Sequence, residues 1–222
     1  MEKRAVKGFH VEHADVRAIL AGGLAELDLP EEHVEPLTQL AEGVARWAER
    51  LNLTAHRGAA AVARRLVLDA LALGVALGDM LPATTADLGS GAGFPGLPIA
   101  IAWPGARVTL IDSRERRHHF QRTMIRALRL ANVVALRGRA EELPATPHGL
   151  VLAQAMAKPA IALEWMRRWA APGGFVVLPR SENAPELGEA TTGIERVAVR
   201  RYVVPLGGPA RIIWIGRRAD AI

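Results

Sequence analysis

Hydrophobic spacing changes character near residue 81. Before it, apolar positions recur at helical intervals. Residues 14–28, "ADVRAILAGGLAELD", have this pattern, weakened by Gly22 and Gly23. Pro30 precedes a second predicted helix over 31–51, where Glu31 and Glu32 suit the positive helix end. Residues 59–77, "AAAVARRLVLDALALGVAL", are apolar around most of the helix and predict a buried one. After residue 84 come short apolar runs: "TADLG", "RVTLID" at 107–112, "NVVALRG" at 132–138, "GLVLAQA" at 149–155 and "GFVVLP" at 174–179. Helical patterns at 96–102, 114–130 and 159–171 separate them. This alternation predicts an α/β fold, a parallel sheet with helices on both faces. Two last runs, 196–204 and 210–216, are joined by "PLGGP" and predict an antiparallel edge pair. The expected organisation is an N-terminal helical extension over 1–80 and a core over 81–222, packed as one unit.

Composition narrows the classes. The chain has 222 residues, half in the hydrophobic set, which suffices for one sizeable core. It has no apolar run long enough to cross a membrane, and its charged first residues do not read as a secretory signal. The expected location is the cytoplasm, and the expected state a monomer. The absence of cysteine excludes disulfides, thiol catalysis and thiolate metal sites. The histidines lack metal-binding spacing, so no metal is expected. A formal charge of +5 suits an acidic partner such as nucleic acid.

The densest chemical signal is "ADLGSGAGFPG", residues 86–96. It lies at the end of the first predicted strand, where open α/β sheets bind ligands. The next strand ends in Asp112, 19 residues after Gly93, placed to accept hydrogen bonds from ribose hydroxyls. Two parses compete. Gly91, Gly93 and Gly96 satisfy the dinucleotide pattern G-x-G-x-x-G, but Pro95 and Pro98 interrupt the helix start that would hold pyrophosphate. Asp87, Gly89, Gly91 and Gly93 satisfy the alternative D-x-G-x-G-x-G, similar to the first motif of class I S-adenosylmethionine methyltransferases. There the acid faces the cofactor's ammonium. The second parse is the better fit, because that cofactor has no phosphate.

"DLGSGAGFPGLPIAI", "TLIDSRERRHHF" and "LRGRAEEL" together resemble the bacterial small-subunit rRNA guanine-N7 methyltransferase family, also called glucose-inhibited division protein B. "RWAERLNLTA" at 46–55 and "RLVLDAL" at 65–71 are similar to two further family segments. The resemblance implies a Rossmann-like class I methyltransferase, with a mostly parallel seven-strand sheet and a helical extension. It implies S-adenosylmethionine as cofactor and rRNA or a small ribosomal subunit precursor as partner. By the same resemblance, Gly89, Gly91, Gly93 and Phe94 would line the methionine and ribose, Asp112 would hold the ribose, and Ala140 and Glu141 would meet the adenine. The family's substrate-side residues are altered: its His is Leu66, an Arg is Gln154 and a Lys is Pro179. A small-molecule methyltransferase or a non-catalytic binding relative therefore stays open as an alternative.

Guanine N7 carries an unprotonated lone pair, so methylation there needs alignment more than a base. Candidate substrate-positioning residues are Gln154, Arg65, Asp69 and Arg180. Gln154 can hydrogen-bond a base edge through its amide or tie down a loop, and it is also an expected cofactor-binding residue. Asp69 could instead pair with Arg65 one turn back. No acid lies between Glu115 and Glu141, an interval rich in arginine. On a helix, His118, Arg122, Arg126 and Arg129 fall on one side, with Phe120, Met124, Ala127 and Leu128 opposite. The positive side suits phosphate contact. Trp165 and Trp169, one turn apart, read as packing.

Overall fold

The computed structural model describes residues 15–154, 156–187, 190–191 and 193–219. Residues 1–14, including residue 14 of the first predicted helix, and residue 155 of the fourth predicted strand lie outside them. Helix α1 covers 15–26. A 3₁₀ turn, Glu31–His33, leads into α2, Val34–Ala48. The third helix, α3, is one continuous stretch with a change of pitch: Ala59–Val62 is α-helical, Ala63–Val67 is π-helical, and Leu68–Leu77 is α-helical again. Periodicity predicted a uniform helix there. Arg200, far along the chain, donates to the Ala76 and Leu77 carbonyls at 2.8 and 3.2 Å, satisfying orphan acceptors at the end of α3.

The core alternates strands and helices as expected: β1 Thr84–Leu88, α4 Gly96–Ala102, β2 Arg107–Asp112, α5 Glu115–Ala127, β3 Val133–Arg137, β4 His148–Ala153, α6 Pro159–Trp169 and β5 Ala170–Ser181. A two-residue β6, Ala190–Thr191, precedes β7 Ile194–Val203 and β8 Ala210–Arg218. The sheet order is β3-β2-β1-β4-β5-β8-β7-β6. The first five strands are parallel. β8 inserts antiparallel between β5 and β7. The expected seven strands are present, and β6 adds a short eighth at the edge. The chain leaves β1 toward β3, then returns to β4 on β1's other side. The switch point therefore lies between the carboxyl ends of β1 and β4.

Two apolar layers cover the sheet. One joins the three N-terminal helices to α4, α5 and the strands, running from Val16 and Leu40 through Leu71 and Phe120 to Ile213. The other packs α6, through Leu163, Met166 and Trp169, on the opposite face. Phe120 is fully buried and meets Trp47 of α2 edge-on, with ring centroids 5.4 Å apart. The helix-end prediction for α5 was too long: it ends at Ala127, with Arg129 in a left-handed conformation (φ 53°) and the Leu130 amide bonded back to Ile125. Among the described residues, no helix is long and apolar enough to cross a membrane.

Because Phe120 is where α2 docks on the core, Phe120→Ala should cost about 3–5 kcal/mol. Urea unfolding followed by both far-UV dichroism and tryptophan fluorescence should move to a lower midpoint and remain a single transition. A separate early transition would show that the helical extension unfolds by itself.

Candidate active site

The glycine turn after β1 is held from several directions. The Gly89 and Ser90 amides both donate to the Ile111 carbonyl of β2, at 2.8 and 3.0 Å. The Gly91 amide donates to Asp112 Oδ2 at 3.0 Å. Gln121, buried on α5, donates through Nε2 to Ser90 Oγ at 2.9 Å and to the Gly91 carbonyl at 2.8 Å. Gly89, Gly91 and Gly93 all take positive φ, where other L-residues are strained. Their surroundings differ. A Cβ at Gly91 would meet nothing nearer than 3.9 Å, so this stretch of main chain faces open space. One at Gly89 would lie 2.7 Å from the Met156 sulfur, and one at Gly93 would lie 2.3 Å from Leu97.

Two sequence expectations change here. Gly93 is buried against Leu97 and is not on the walls of the cavities described below, and its positive φ fits a role in shaping the turn. Asp87 is 1 % exposed and sits beneath the turn. Its Oδ2 accepts the Gly96 amide at 2.9 Å at the start of α4, and its Oδ1 has no partner. It does not face the cleft, as the motif had suggested. Burial pushes its carboxyl well above the usual range. The Gly96 amide opposes this, and the neighbouring Asp112 raises it further.

A cavity of about 330 Å³ opens beside the turn, lined by Gly89, Asp112, Ala140, Glu141, Met156 and Trp165 among others. Asp112 is 4 % exposed and well anchored: the Arg114 amide donates to Oδ1 at 2.9 Å, and Arg117 Nη1 donates to Oδ2 at 3.2 Å. The Ala140 carbonyl accepts the indole N–H of buried Trp169 at 2.9 Å, which fixes the segment carrying Ala140 and Glu141. Trp165 stands on this cavity's wall, half-buried, where sequence had assigned it to packing.

A second cavity of about 380 Å³ shares Gly89 and Arg117 with the first as lining residues. Its wall brings together Gly91, Phe94, Arg65, Leu66, Asp69, Gln154, Tyr202 and Arg211. Arg65 and Leu66 come from the π-helical stretch of α3, a distortion often found at functional sites. Asp69 does not pair with Arg65. Tyr202 donates its hydroxyl to Asp69 Oδ1 at 2.7 Å, and Arg211 Nη2 lies 3.4 Å from Asp69 Oδ2. Burial and Asp69 together push the Tyr202 phenol far up, so it stays protonated. Tyr202 and Arg211 are direct cross-strand partners in β7 and β8. The available signal for them was the hairpin register, not a motif. Gln154 is exposed and lines this cavity and a third of about 340 Å³ that also holds Pro179 and Arg180. Arg180 itself donates to the Pro185 carbonyl at 2.6 Å.

The basic interval is only partly unpaired. Arg137 lies 3.3 Å from Glu115, and Arg139 is 3.6 Å from Glu141, acids that flank the interval. Arg117 and Gln121 turn inward, whereas Ala127, expected to pack, is exposed. Arg116, Arg122, Arg126 and Arg129 remain exposed, without a hydrogen-bond or ion-pair partner among the described residues. Among those residues, no group of three or more His, Asp or Glu side chains could hold a metal ion.

Comparison with known proteins gives one family. The model described as rRNA small subunit methyltransferase G matches residues 33–208. A protein named ribosomal RNA small subunit methyltransferase G from Roseiflexus sp. (strain RS-1) is 35% identical over 207 residues, covering 88% of each chain. Its namesake from Stenotrophomonas maltophilia (strain R551-3) is 34% identical over 212 residues, covering 90% of this chain and 99% of that one. Among solved structures, a variant of MtNAS in complex with S-adenosylmethionine superposes with a TM-score of 0.58 at 18% identity, covering 85% of this chain and 72% of that one. The last comparison concerns fold alone.

Asp87 generates a pH prediction. A raised carboxyl pKa in the folded state adds stability while the group is protonated. That contribution is lost as pH rises from the ordinary carboxylate value, about 3.9, through the raised one. Asp87→Asn keeps an acceptor for the Gly96 amide but does not titrate. The wild-type urea midpoint should therefore fall relative to that of the variant as pH is raised. A gap that stays constant from about pH 4 to about pH 8 would contradict the burial argument.

Proposed function

This chain belongs to the rRNA small subunit methyltransferase G family, and from that premise we propose that it methylates a guanine N7 in small-subunit rRNA, using S-adenosylmethionine. The observation that carries this reading is that two cavities share Gly89 and Arg117 in their walls, one bearing Asp112 and the other Arg65, Asp69 and Gln154. Group transfer needs donor and acceptor side by side, and the two cavities share lining residues at the glycine turn.

The residues of the first cavity fit the cofactor. Asp112 offers carboxylate oxygens on the wall and Trp165 a flat apolar surface, while Gly91 and Phe94 line the second cavity, which shares Gly89 with the first. Asp112 would hold the ribose, Ala140 and Glu141 the adenine, and Gly89, Gly91 and Phe94 the methionine part. Met156 must swing off Gly89 for contact there, which its unbranched, flexible side chain permits. When bound, S-adenosylmethionine would supply a methyl carbon on a positively charged sulfur, open to attack by a guanine N7 lone pair, with the neutral thioether of S-adenosylhomocysteine as leaving group and no proton to remove. The protein's work is then alignment. Gln154 and Arg65 are free to donate to the base, while Asp69 is held by Tyr202 and Arg211 and sets the shape of the acceptor cavity.

The unpaired arginines of α5 support an RNA partner. Arg116, Arg122 and Arg126 stand exposed on the helix whose first turn carries Arg117 to both cavities. Contacts of this kind hold the phosphate backbone without reading sequence.

Incubation with labelled S-adenosylmethionine and 30S subunits from a strain lacking the gene should yield 7-methylguanosine in digested 16S rRNA. Absence of label in subunits, naked rRNA and precursors alike would defeat the reading. Replacing Arg122 and Arg126 together with Gln should raise KM for RNA and leave kcat near wild type. The slope of log affinity against log salt should shrink by roughly one per arginine removed.

A further inference from the structure

Arg117 stands at the junction of the two cavities and lines both. It enters from the first turn of α5, and its Nη1 donates to Asp112 Oδ2. The same oxygen already accepts the Gly91 amide. The guanidinium has five N–H donors. Only the one to Asp112 has a protein acceptor among the described residues. The same Nη1 lies 3.9 Å from where a Gly91 Cβ would be, against the bare part of the turn. Its side chain is 26 % exposed, so it is neither buried for structure nor loose in solvent.

We propose that Arg117 forms an anion subsite for the carboxylate of the cofactor's methionine part, taking that carboxylate in exchange for Asp112. This rests on the S-adenosylmethionine reading above. The argument is one of lone pairs. Asp112 Oδ2 has both accepting positions filled, by Gly91 and Arg117, whereas Oδ1 is filled once, by Arg114. A ribose presents two adjacent hydroxyls. Only one finds a vacant position unless Arg117 lets go of Oδ2. A guanidinium displaced from its carboxylate needs another anion, and the cofactor contains one, a carboxylate of matching fork geometry. The two exchanges offset each other: Asp112 passes from guanidinium to hydroxyl while Arg117 passes from protein carboxylate to ligand carboxylate. An RNA phosphate presents the same chemistry from the second cavity, so the test separates the two sources.

Calorimetric titration should compare S-adenosylhomocysteine with 5′-methylthioadenosine, which shares the adenosine and sulfur but lacks the amino-acid part. Arg117→Gln should weaken S-adenosylhomocysteine by about tenfold to a hundredfold, the range of a charge-assisted hydrogen bond, and should not weaken methylthioadenosine, whose ribose then finds Asp112 Oδ2 less occupied. Arg117→Lys keeps the charge but loses the fork, and should fall between wild type and the Gln variant. Equal weakening of both ligands would mean that Arg117 merely steadies Asp112, and would overturn the proposal. Unchanged affinity for both, with a raised KM for RNA, would assign the subsite to phosphate and likewise overturn it. Failure of the wild-type protein to bind either ligand would instead reject the cofactor reading itself. Thermal unfolding of each variant checks its fold, and the Lys variant carries the comparison if the Gln variant does not fold.

Discussion

The hydrogen bond from the Gly91 amide to Asp112 ties a turn rich in glycine to the end of a neighbouring strand. A turn with so little side chain has many conformations open to it, and fixing it costs backbone entropy that contacts must offset. Here the neighbours supply those contacts. β2 contributes a backbone carbonyl and a carboxylate, α5 contributes Gln121, and Asp87 holds the start of α4 from below. The main chain at Gly91 can stay bare because it is gripped from behind.

The helical extension forms part of the cleft itself. α3 carries Arg65, Leu66 and Asp69 to the second cavity, and the far end of the chain meets it there through Tyr202 and Arg211. One carboxylate thus joins the third helix to the last hairpin. A buried ion pair is weak evidence for net stability, because desolvation offsets attraction. Its value here is placement: a third partner, the Tyr202 hydroxyl, leaves Asp69 little freedom to turn.

Strand and helix order was legible because parallel strands buried on both faces read as continuous apolar runs and the helices between them do not. The glycine turn and Asp112 were legible because local sequence encodes them. Other features depend on partners distant in sequence. Asp69 looked ready to pair with Arg65, four residues back, but its partners are 133 residues away and beyond. Gln121 looked like one more polar residue on a charged helix until burial against Ser90 gave it a task. The π-helical segment of α3 leaves the apolar pattern unchanged, so periodicity could not reveal it. Trp165 and Trp169, alike in sequence, divide between cavity wall and core because the helix turns only one of them fully inward.

β8 fills a slot between β5 and β7, so a strand made late occupies the interior of the sheet. During synthesis on a ribosome, β5 and β7 emerge before the strand that separates them. Each then offers an unsatisfied edge, the kind of surface that invites mispairing. Vectorial assembly therefore leaves a gap in the sheet that only the arriving hairpin arm can close. Arg211 travels on that arm, so the acceptor side of the cleft is finished only when the seam is sealed.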